Sequence, residues 1–268
     1  MRLLQGTELK DYFRDPTKVT SWWRPEEGAY RFWHDQEFGL LDRYLASGGS
    51  PLVLDAACGQ GRYARYLARK GCRVCALDIN PKMLDIARER ASREGLADRI
   101  EFVEGDVESF AADGRPAFDI VLCMDALDHM ADLERAIANL AGLLKSGGTL
   151  VTTYTSKESL YGLARGVYTS IAYRRRDDAV DIAQTYSWPR FAAALTAAGI
   201  TIEHRVGIGL LMAPQERIAL GPAGSLLRML SRIDIALKGH HADNWLCRHC
   251  AVVTAIGTRQ GARSVPPS

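Results

Sequence analysis

The 268-residue sequence contains no apolar run that approaches the roughly 20 residues needed to cross a bilayer. Its beginning, MRLLQGTELKDYFRD, lacks the apolar core of a signal peptide. Internal repeats and low-complexity blocks are also missing. These absences predict a soluble, cytoplasmic protein.

Neither sign of charge dominates the chain. There are 34 basic and 32 acidic residues, which leaves a net charge of +2. A protein that binds nucleic acid through its surface normally carries a marked basic excess. The charge balance therefore predicts no nucleic-acid partner.

Cysteine is sparse, but four of the six cysteines form two CxxC pairs, Cys72–Cys75 and Cys247–Cys250. Paired CxxC motifs are one pattern of structural zinc sites. Both pairs fall in strand-like runs, CRVCALD and CRHCAVVTAI, where residues i and i+3 point to opposite faces. The spacing therefore favours free thiols over a zinc site, and no metal is predicted.

From Pro51 onward, strand-like and helix-like runs alternate along the chain. This order is typical of a parallel sheet with helices on both faces, that is, a doubly wound α/β fold. We predict an N-terminal helical lid over residues 1–48 and a main domain over 49–258. Insertions at about 156–186 and 210–245 are expected to form a substrate cap, and 259–268 a disordered tail.

One loop suggests a ligand. In VLDAACGQGRYARYL, residues 53–67, an apolar run stops at Asp55, and Gly59 and Gly61 precede an amphipathic stretch. Glycine allows a sharp turn and a close approach of backbone to a nucleotide-like ligand. Asp78, about twenty residues further on, suits a ribose diol. The glycine pattern alone fits NAD, FAD and S-adenosylmethionine alike.

Two carboxylates narrow this choice. Asp55 stands before the glycines, where it would repel a pyrophosphate but suits a ligand that carries an ammonium group. A third strand ends in Gly105-Asp106, which offers a carboxylate for an adenine amino group. Both features favour S-adenosylmethionine over a dinucleotide.

The motifs DAACGQG, LDIN, EGD followed by Val107, DIVLCMDALDHM and LLKSGGTL resemble, in order and spacing, those of class I S-adenosylmethionine-dependent methyltransferases. The group that includes quinone-biosynthesis methyltransferases is most similar. The resemblance covers residues 51–155, and YSWPRFAAALTAAGITIEHR is similar to the family's sixth helix-and-strand unit. It implies a Rossmann-like, seven-stranded sheet whose last strand is antiparallel.

The resemblance also implies site residues for S-adenosyl-L-methionine and its product S-adenosyl-L-homocysteine. Asp55 and the backbone of Ala57 and Gly59 would face the methionine moiety, and Gly61 would permit a close approach. The remaining cofactor contacts would involve the ribose, the adenine and the ligand's ammonium group, and are assigned to Asp78, Ile79, Met83, Asp106, Val107 and the Cys123 carbonyl. For Asp78 and Asp106 a turn-capping role stays open, and for Met83 a helix-core role.

Three residues near the expected methyl position are candidates for catalysis. His129 follows the fourth strand and has a side chain suited to a general base, although a structural role bonded to backbone stays open. Asp125 is an alternative base, as is Asp128 unless it caps the following helix. Tyr154 either binds the acceptor or is a core aromatic. In the aromatic N-terminus, Tyr30 and Trp33 are candidate acceptor contacts, or else part of a packed helix face.

We therefore predict methyl transfer to a small organic acceptor, such as a natural product, sugar or quinone-like metabolite, and more at oxygen than at nitrogen or carbon. The alternatives are a nicotinamide-dependent oxidoreductase and a non-catalytic S-adenosylmethionine-binding protein. An apolar stripe with flanking basic residues in 210–245 either contacts a membrane peripherally or packs within the protein, and packing is favoured. The oligomeric state is left open.

Overall fold

The computed structural model describes residues 2–19, 29–45, 49–111, 117–172, 180–210 and 240–260, together with Met229 and Ile233. Strands are numbered in chain order: β1 (Arg2–Leu3), β2 (Leu52–Ala56), β3 (Arg73–Asp78), β4 (Ile100–Glu104), β5 (Phe118–Cys123), β6 (Leu144–Thr155), β7 (Val180–Asp181), β8 (Ile200–Ile208), β9 (His240–Ala242) and β10 (Val252–Arg259). The α-helices are α1 (Gly6–Arg14), α2 (Pro16–Val19), α3 (Ala29–Tyr44), α4 (Arg62–Arg69), α5 (Pro81–Arg93), α6 (Leu133–Leu143), α7 (Leu160–Ala172) and α8 (Trp188–Ala197). Short 3₁₀ turns cover Ala97–Arg99, Leu127–His129 and Trp245–His249.

The main sheet has the strand order β4-β3-β2-β5-β6-β10-β8-β9. Strands β2 to β6 pair in parallel, whereas β10 runs antiparallel to both β6 and β8. The predicted α/β fold with seven strands and an antiparallel last strand is thus confirmed. The short strand β9 adds an edge beyond β8 that the sequence pattern did not predict.

The helices cover both faces of this sheet. One apolar cluster joins buried residues of α6 and α8, such as Ile137 and Phe191, to the sheet. A second cluster on the opposite face contains α4 and α5 residues such as Leu67 and Leu84. Strands that are buried on both faces read as continuous apolar runs, which explains the run LVLDA of β2.

The parallel arrangement determines where a ligand binds. The strand order changes direction between β2 and β5, and the loops that follow these strands open a crevice at their carboxyl ends. Helix α5 begins at this edge, where the Asn80 side chain accepts hydrogen bonds from the Lys82 and Met83 amides ahead of Pro81. The glycine loop, Asp78 and His129 all lie at the same edge.

The N-terminal region is fastened to a distant part of the chain. Strand β1 pairs in parallel with β7, which lies in the predicted 156–186 insertion. Leu4 and Leu9 pack with Ile182 in a small apolar cluster. Two regions that fall outside the βα alternation therefore meet next to α1.

The structure corrects one strand prediction. Cys247 and Cys250 do not lie in a strand, because β10 begins only at Val252. Cys247 lies in the 3₁₀ turn that the Asn244 side chain caps by accepting from the Leu246 amide, and Cys250 follows that turn directly. The opposite-face argument against chelation therefore fails for this pair.

At the other end of β10 the strand continues to Arg259, one residue beyond the predicted domain boundary. The Arg259 guanidinium donates to the carbonyls of Gly142 and Leu144. Residues 261–268, which contain most of the predicted tail, lie outside the described residues, as do most of 210–245. Within the described ranges, no helix combines the length and apolarity that crossing a membrane requires.

Candidate active site at the carboxyl ends of the strands

Two adjoining cavities open at the carboxyl edge of the sheet. The first is lined by Lys10, Phe13, Ala57, Gly59, Asp78, Ile79, Asn80, Met83, Asp106, Val107, Glu108, Asp125, Ala126, His129 and Met130. The second is lined by Phe13, Ala57, Cys58, Gly59, Gln60, Arg62, Tyr63, Met83, Met124, Asp125 and His129. Six residues belong to both linings, so the cavities are two ends of one crevice.

Asp78 is held rigidly at the first cavity. Its Oδ2 accepts from the Gly59 amide at 2.7 Å, and its Oδ1 accepts from the Asn80 amide at 2.9 Å. Burial raises the pKa of Asp78, although backbone hydrogen bonds oppose this shift. Each carboxylate oxygen can accept a further hydrogen bond, so both can bind ribose hydroxyl groups.

Asp106 lies at the other end of the first cavity, next to the apolar side chain of Val107. Its Oδ1 accepts from the Glu108 amide at 2.9 Å, while its Oδ2 is 2.7 Å from Lys10 Nζ. Lys10 Nζ also lies 2.8 Å from Glu108 Oε2. A cation from α1 therefore joins two carboxylates at the end of the cavity that was predicted to hold adenine.

The second cavity contains a buried acceptor without a partner. Gln60, between the two glycines of the loop, is only 8% exposed, and its Oε1 makes no hydrogen bond within the described part of the chain. A buried carbonyl oxygen that lacks a donor costs about 1–3 kcal/mol. A ligand with an ammonium or hydroxyl group in this cavity would satisfy it.

A buried charge network forms the wall of the second cavity. Arg62 places Nη1 3.0 Å from Glu37 Oε2 and Nη2 3.0 Å from Asp125 Oδ2. Tyr63 donates its hydroxyl to Glu37 at 2.5 Å, and Glu37 is fully buried. This network connects α3 of the N-terminal region to Asp125, which lines both cavities.

His129 lies where the two cavities meet. Its Nδ1 is 2.9 Å from the Ile182 carbonyl oxygen, and its ring centroid is 5.0 Å from that of Phe13. A carbonyl oxygen only accepts, so Nδ1 carries the hydrogen in the neutral ring and Nε2 carries the lone pair. The structural bond that was predicted as an alternative is therefore present, and it fixes the tautomer that a base requires.

Two non-glycine residues of the crevice adopt left-handed backbone conformations, Ala57 with a φ of 58° and Asp125 with a φ of 55°. This conformation costs a non-glycine residue of the order of 1–3 kcal/mol and is concentrated at functional sites. Asp125 is held there by its amide, which donates to Thr153 Oγ1 at 2.6 Å. The strained backbone directs both residues towards the crevice.

Of the predicted site residues that the structure describes in full, four do not line either cavity. Asp55 is buried behind the glycine loop, where it accepts from the Ala64 amide at 2.9 Å, and burial raises its pKa to about 7. Gly61, directly before α4, has a φ of 69°, and a Cβ added there would lie 3.0 Å from that of Ala87. Cys123 is fully buried at the end of β5, and its carbonyl role stays a prediction.

Tyr154 is the fourth of these residues. It is 1% exposed and stacks on Phe191, with ring centroids 4.3 Å apart. Burial raises the pKa of its hydroxyl. The position favours the core role over an acceptor contact.

Asp128 also has a structural position, different from the predicted helix cap. Its carboxylate accepts from the Thr155 amide and hydroxyl, and burial raises its pKa to about 7. Helix α6 is instead capped by Asp132, which accepts from the Arg135 amide. The proposed acceptor contacts Tyr30 and Trp33 belong to α3, but their side chains lie outside the described residues.

All six cysteines are free and buried. Within the described ranges, no cluster of three or more histidine, cysteine or acidic side chains is arranged to hold a metal ion. The crevice therefore has to be interpreted through hydrogen bonding, charge and shape.

Sequence reasoning missed several lining residues. Gln60 and Arg62 stand within the motif itself, and their proximity to the glycines was a usable signal. Lys10 and Phe13 precede the motif by about forty residues, and nothing in their local sequence indicated the crevice. Only the folding of α1 over the sheet edge brings them there.

Comparison with known proteins agrees with this geometry. Residues 54–152 match a family model described as a methyltransferase domain. The chain contains a class I S-adenosylmethionine-dependent methyltransferase domain. A ubiquinone biosynthesis O-methyltransferase of Xanthomonas axonopodis pv. citri is 34% identical over 113 residues, which cover 42% of this chain and 46% of that protein. A protein of the same description from Klebsiella pneumoniae is 36% identical over 135 residues, with 46% and 55% covered.

The aligned part thus spans about half the length of these curated relatives. Among solved structures, magnesium protoporphyrin IX methyltransferase from Synechocystis with bound SAH superposes with a TM-score of 0.65 at 20% identity, over 95% of this chain and 99% of that one. The [4+2]-cyclase SpnF superposes with a TM-score of 0.59 at 19% identity, over 90% and 86%. The family-model match confirms the predicted methyltransferase family for residues 54–152.

Proposed function

We propose that the protein transfers a methyl group from S-adenosylmethionine to an oxygen atom of a small organic acceptor, with His129 as the general base. The observation that carries this proposal is the position of His129 at the junction of the two cavities, with Nδ1 bonded to the Ile182 carbonyl. The relatives described as O-methyltransferases support oxygen as the acceptor atom.

The crevice residues fit the cofactor. Asp78 offers two carboxylate oxygens for the ribose diol, and Ile79, Met83 and Val107 provide apolar walls for a purine. At the other end, the unpaired Oε1 of Gln60 suits the ammonium group of the methionine moiety. Arg62 also lines this cavity, where Glu37 and Asp125 balance its charge.

When bound, S-adenosylmethionine supplies an electrophilic methyl group, so the protein mainly has to align the acceptor and exclude water. Phe13 and Met83 line both cavities and make the junction largely apolar. An acceptor hydroxyl that lies against His129 would lose its proton to Nε2 as the oxygen attacks. Phe13, beside the imidazole, provides a flat surface for a planar acceptor.

The N-terminal region closes this arrangement. α1 contributes Lys10 and Phe13 to the crevice, and α3 contributes Glu37 to the charge network behind it. This contact pattern supports the proposed lid, although the aromatic residues of 20–28 lie outside the described residues. The predicted role of 156–186 as a cap is supported by Ile182, whose carbonyl holds His129.

The alternatives are less well supported. A nicotinamide-dependent oxidoreductase would place a pyrophosphate against the glycine loop, and the carboxyl group of Asp55, which is buried behind that loop, disfavours a further negative charge there. A protein that binds the cofactor without methyl transfer is a separate class, and one protein with a similar fold is a [4+2]-cyclase. Turnover therefore has to be measured directly.

The test uses purified protein and S-adenosylmethionine that carries a labelled methyl group, incubated with phenols, catechols and an extract of the source cells. We expect label in an ether-type product that partitions into organic solvent. Cofactor binding without any transferred label would refute catalysis and favour the binding-protein alternative. Label on nitrogen or carbon would refute the oxygen assignment.

His129 is tested with two variants. His129→Ala should lower turnover by about two to four orders of magnitude while S-adenosylhomocysteine binds normally, because a general base typically contributes that much. In His129→Asn the side-chain amide can keep the bond to the Ile182 carbonyl, but it cannot accept the acceptor's proton. Recovery of activity in His129→Asn would show that the bond, and not proton transfer, matters. His204→Ala, at a partly exposed histidine of β8, is the matched control.

A further inference from the structure

We propose that Lys10 is a specificity-determining residue for the cofactor, because it holds Asp106 as an ionised acceptor for the 6-amino group of adenine. This inference rests on the proposed placement of adenine at Asp106. Lys10 would act through Asp106 and need not touch the ligand, so it is a positioning residue.

The geometry shows that Lys10 fixes both neighbouring carboxylates. Its ammonium group lies 2.7 Å from Asp106 Oδ2 and 2.8 Å from Glu108 Oε2. The other oxygen of Asp106 accepts from the Glu108 amide. The other oxygen of Glu108 accepts from the Ala131 amide at 2.6 Å and from the Asp132 amide at 3.3 Å. The two side chains thus have little freedom to rotate.

Burial makes the cation necessary. The Glu108 side chain is 3% exposed and that of Asp106 is 14% exposed, and both contact the same nitrogen atom. Two carboxylates that share a buried site cannot both ionise easily unless a cation lies between them. Burial lowers the pKa of Lys10, but its bonds to Asp106 and Glu108 outweigh burial and raise it overall, so Lys10 stays charged.

The charge state of Asp106 decides which purine it accepts. An ionised carboxylate only accepts hydrogen bonds, whereas a protonated one also donates. Oδ2 has a second lone pair beside the bond to Lys10, and a 6-amino group can donate to it. A 6-oxo purine would instead bring a carbonyl oxygen against the carboxylate, which is repulsive. Without Lys10, Oδ2 of Asp106 would lose the contact that holds it in place, and the carboxylate would discriminate less between a 6-amino and a 6-oxo group.

Helix α1 is anchored in a way that keeps Lys10 in place. Leu9 is fully buried against Leu4 and Ile182. Near the end of α1, the Phe13 carbonyl accepts a hydrogen bond from Asn80 Nδ2 at 2.7 Å. This bond holds α1 next to the Asp78 end of the crevice. Removal of the Lys10 charge alone should therefore leave α1 seated.

The experiment measures the dissociation constants of S-adenosyl-L-homocysteine and S-inosyl-L-homocysteine by calorimetry on the full chain. The two ligands differ only in the 6-amino and 6-oxo groups. Wild type, Lys10→Met, Lys10→Arg and the control Lys82→Met, an exposed lysine of α5, are compared. We expect wild type to prefer the amino ligand about 10- to 100-fold, which is the contribution of one hydrogen bond to a charged group.

Lys10→Met should lower this preference at least about fivefold, while Lys82→Met leaves it unchanged and Lys10→Arg largely restores it. Equal loss of affinity for both ligands in Lys10→Met would overturn the inference, because a merely structural tether would weaken both alike. An unchanged preference would also overturn it. If wild type bound neither ligand, the proposed function itself would fail, and the inference with it.

Discussion

Replacement of Asp78 by asparagine should weaken cofactor binding far more than it weakens the fold. The carboxylate accepts one backbone hydrogen bond on each oxygen, from Gly59 and from Asn80. Asparagine keeps one acceptor oxygen and presents an NH₂ group in place of the other. One of the two backbone amides then loses its acceptor, and both ribose hydroxyls lose a charged partner.

The magnitudes follow from these bonds. A hydrogen bond to a charged group contributes about 1.5–3 kcal/mol, so two weakened ribose contacts amount to about 3–6 kcal/mol. This corresponds to a rise in the dissociation constant of about two to four orders of magnitude. The orphaned amide costs about 1–3 kcal/mol of stability. In a domain of this size, that loss lowers the melting temperature by roughly 2–12 °C.

The assay combines calorimetry with S-adenosyl-L-homocysteine and thermal unfolding in the absence of ligand. Asp98→Asn, at an exposed carboxylate, serves as the matched control. An affinity of Asp78→Asn within about threefold of wild type, in a protein that remains folded, would refute the ribose assignment, since the lost contacts should cost far more. The ribose assignment would also be refuted if Asp78→Asn lost no more affinity than the control Asp98→Asn.

Two further predictions concern stability. Gly61→Ala should lower the unfolding free energy by about 1–3 kcal/mol, because the residue has a φ of 69° and an added Cβ lies 3.0 Å from that of Ala87. Gly95→Ala is the control, because Gly95 has a similar φ of 68° but open space around an added Cβ. A smaller loss of unfolding free energy in Gly95→Ala, measured by urea unfolding, would be due to the absence of the Ala87 contact. An equal loss in both variants would refute a contribution from that contact. Asp128 has a pKa of about 7 in the folded chain, raised by burial, against an ordinary value near 4. Between about pH 4 and 7 the unfolded chain releases a proton that the folded chain keeps, so stability falls as pH rises. Asp128→Asn should flatten this decline across the same pH range in urea unfolding, and an unchanged slope would contradict the assignment.

The success of the fold prediction has a local cause. The strands β2, β3 and β5 are short, buried runs, and helices such as α5 begin with recognisable caps such as Asn80-Pro81. Both signals are contained in a few consecutive residues. The strand prediction at Cys247–Cys250 failed because contacts with other parts of the chain override a strand-like composition. The Asn244 side chain caps a 3₁₀ turn there, and both cysteines pack closely against Gly207 of β8.

The predicted cofactor and acceptor residues also fall into two groups, those that line the crevice and those that do not. The crevice is lined by Ala57, Gly59, Asp78, Ile79, Met83, Asp106 and Val107, whose cofactor contacts stay predictions. Asp55 and Tyr154 show the limit of motif reasoning, since alternation along a strand does not reveal whether a side chain faces the crevice or the core. Their actual neighbours, the Ala64 amide and Phe191, come from other elements.

The sequence by itself determined the order of strands and helices, the glycine turn after β2 and the carboxylates at the ends of β3 and β4, because each depends on neighbouring residues. The tertiary structure alone decided that α1 lies across the crevice, that Lys10 joins Asp106 to Glu108, and that Ile182 orients His129. Those contacts join residues 53 to 98 positions apart, and no local pattern encodes them. They form only when the sheet, the N-terminal region and the insertion before α8 pack together.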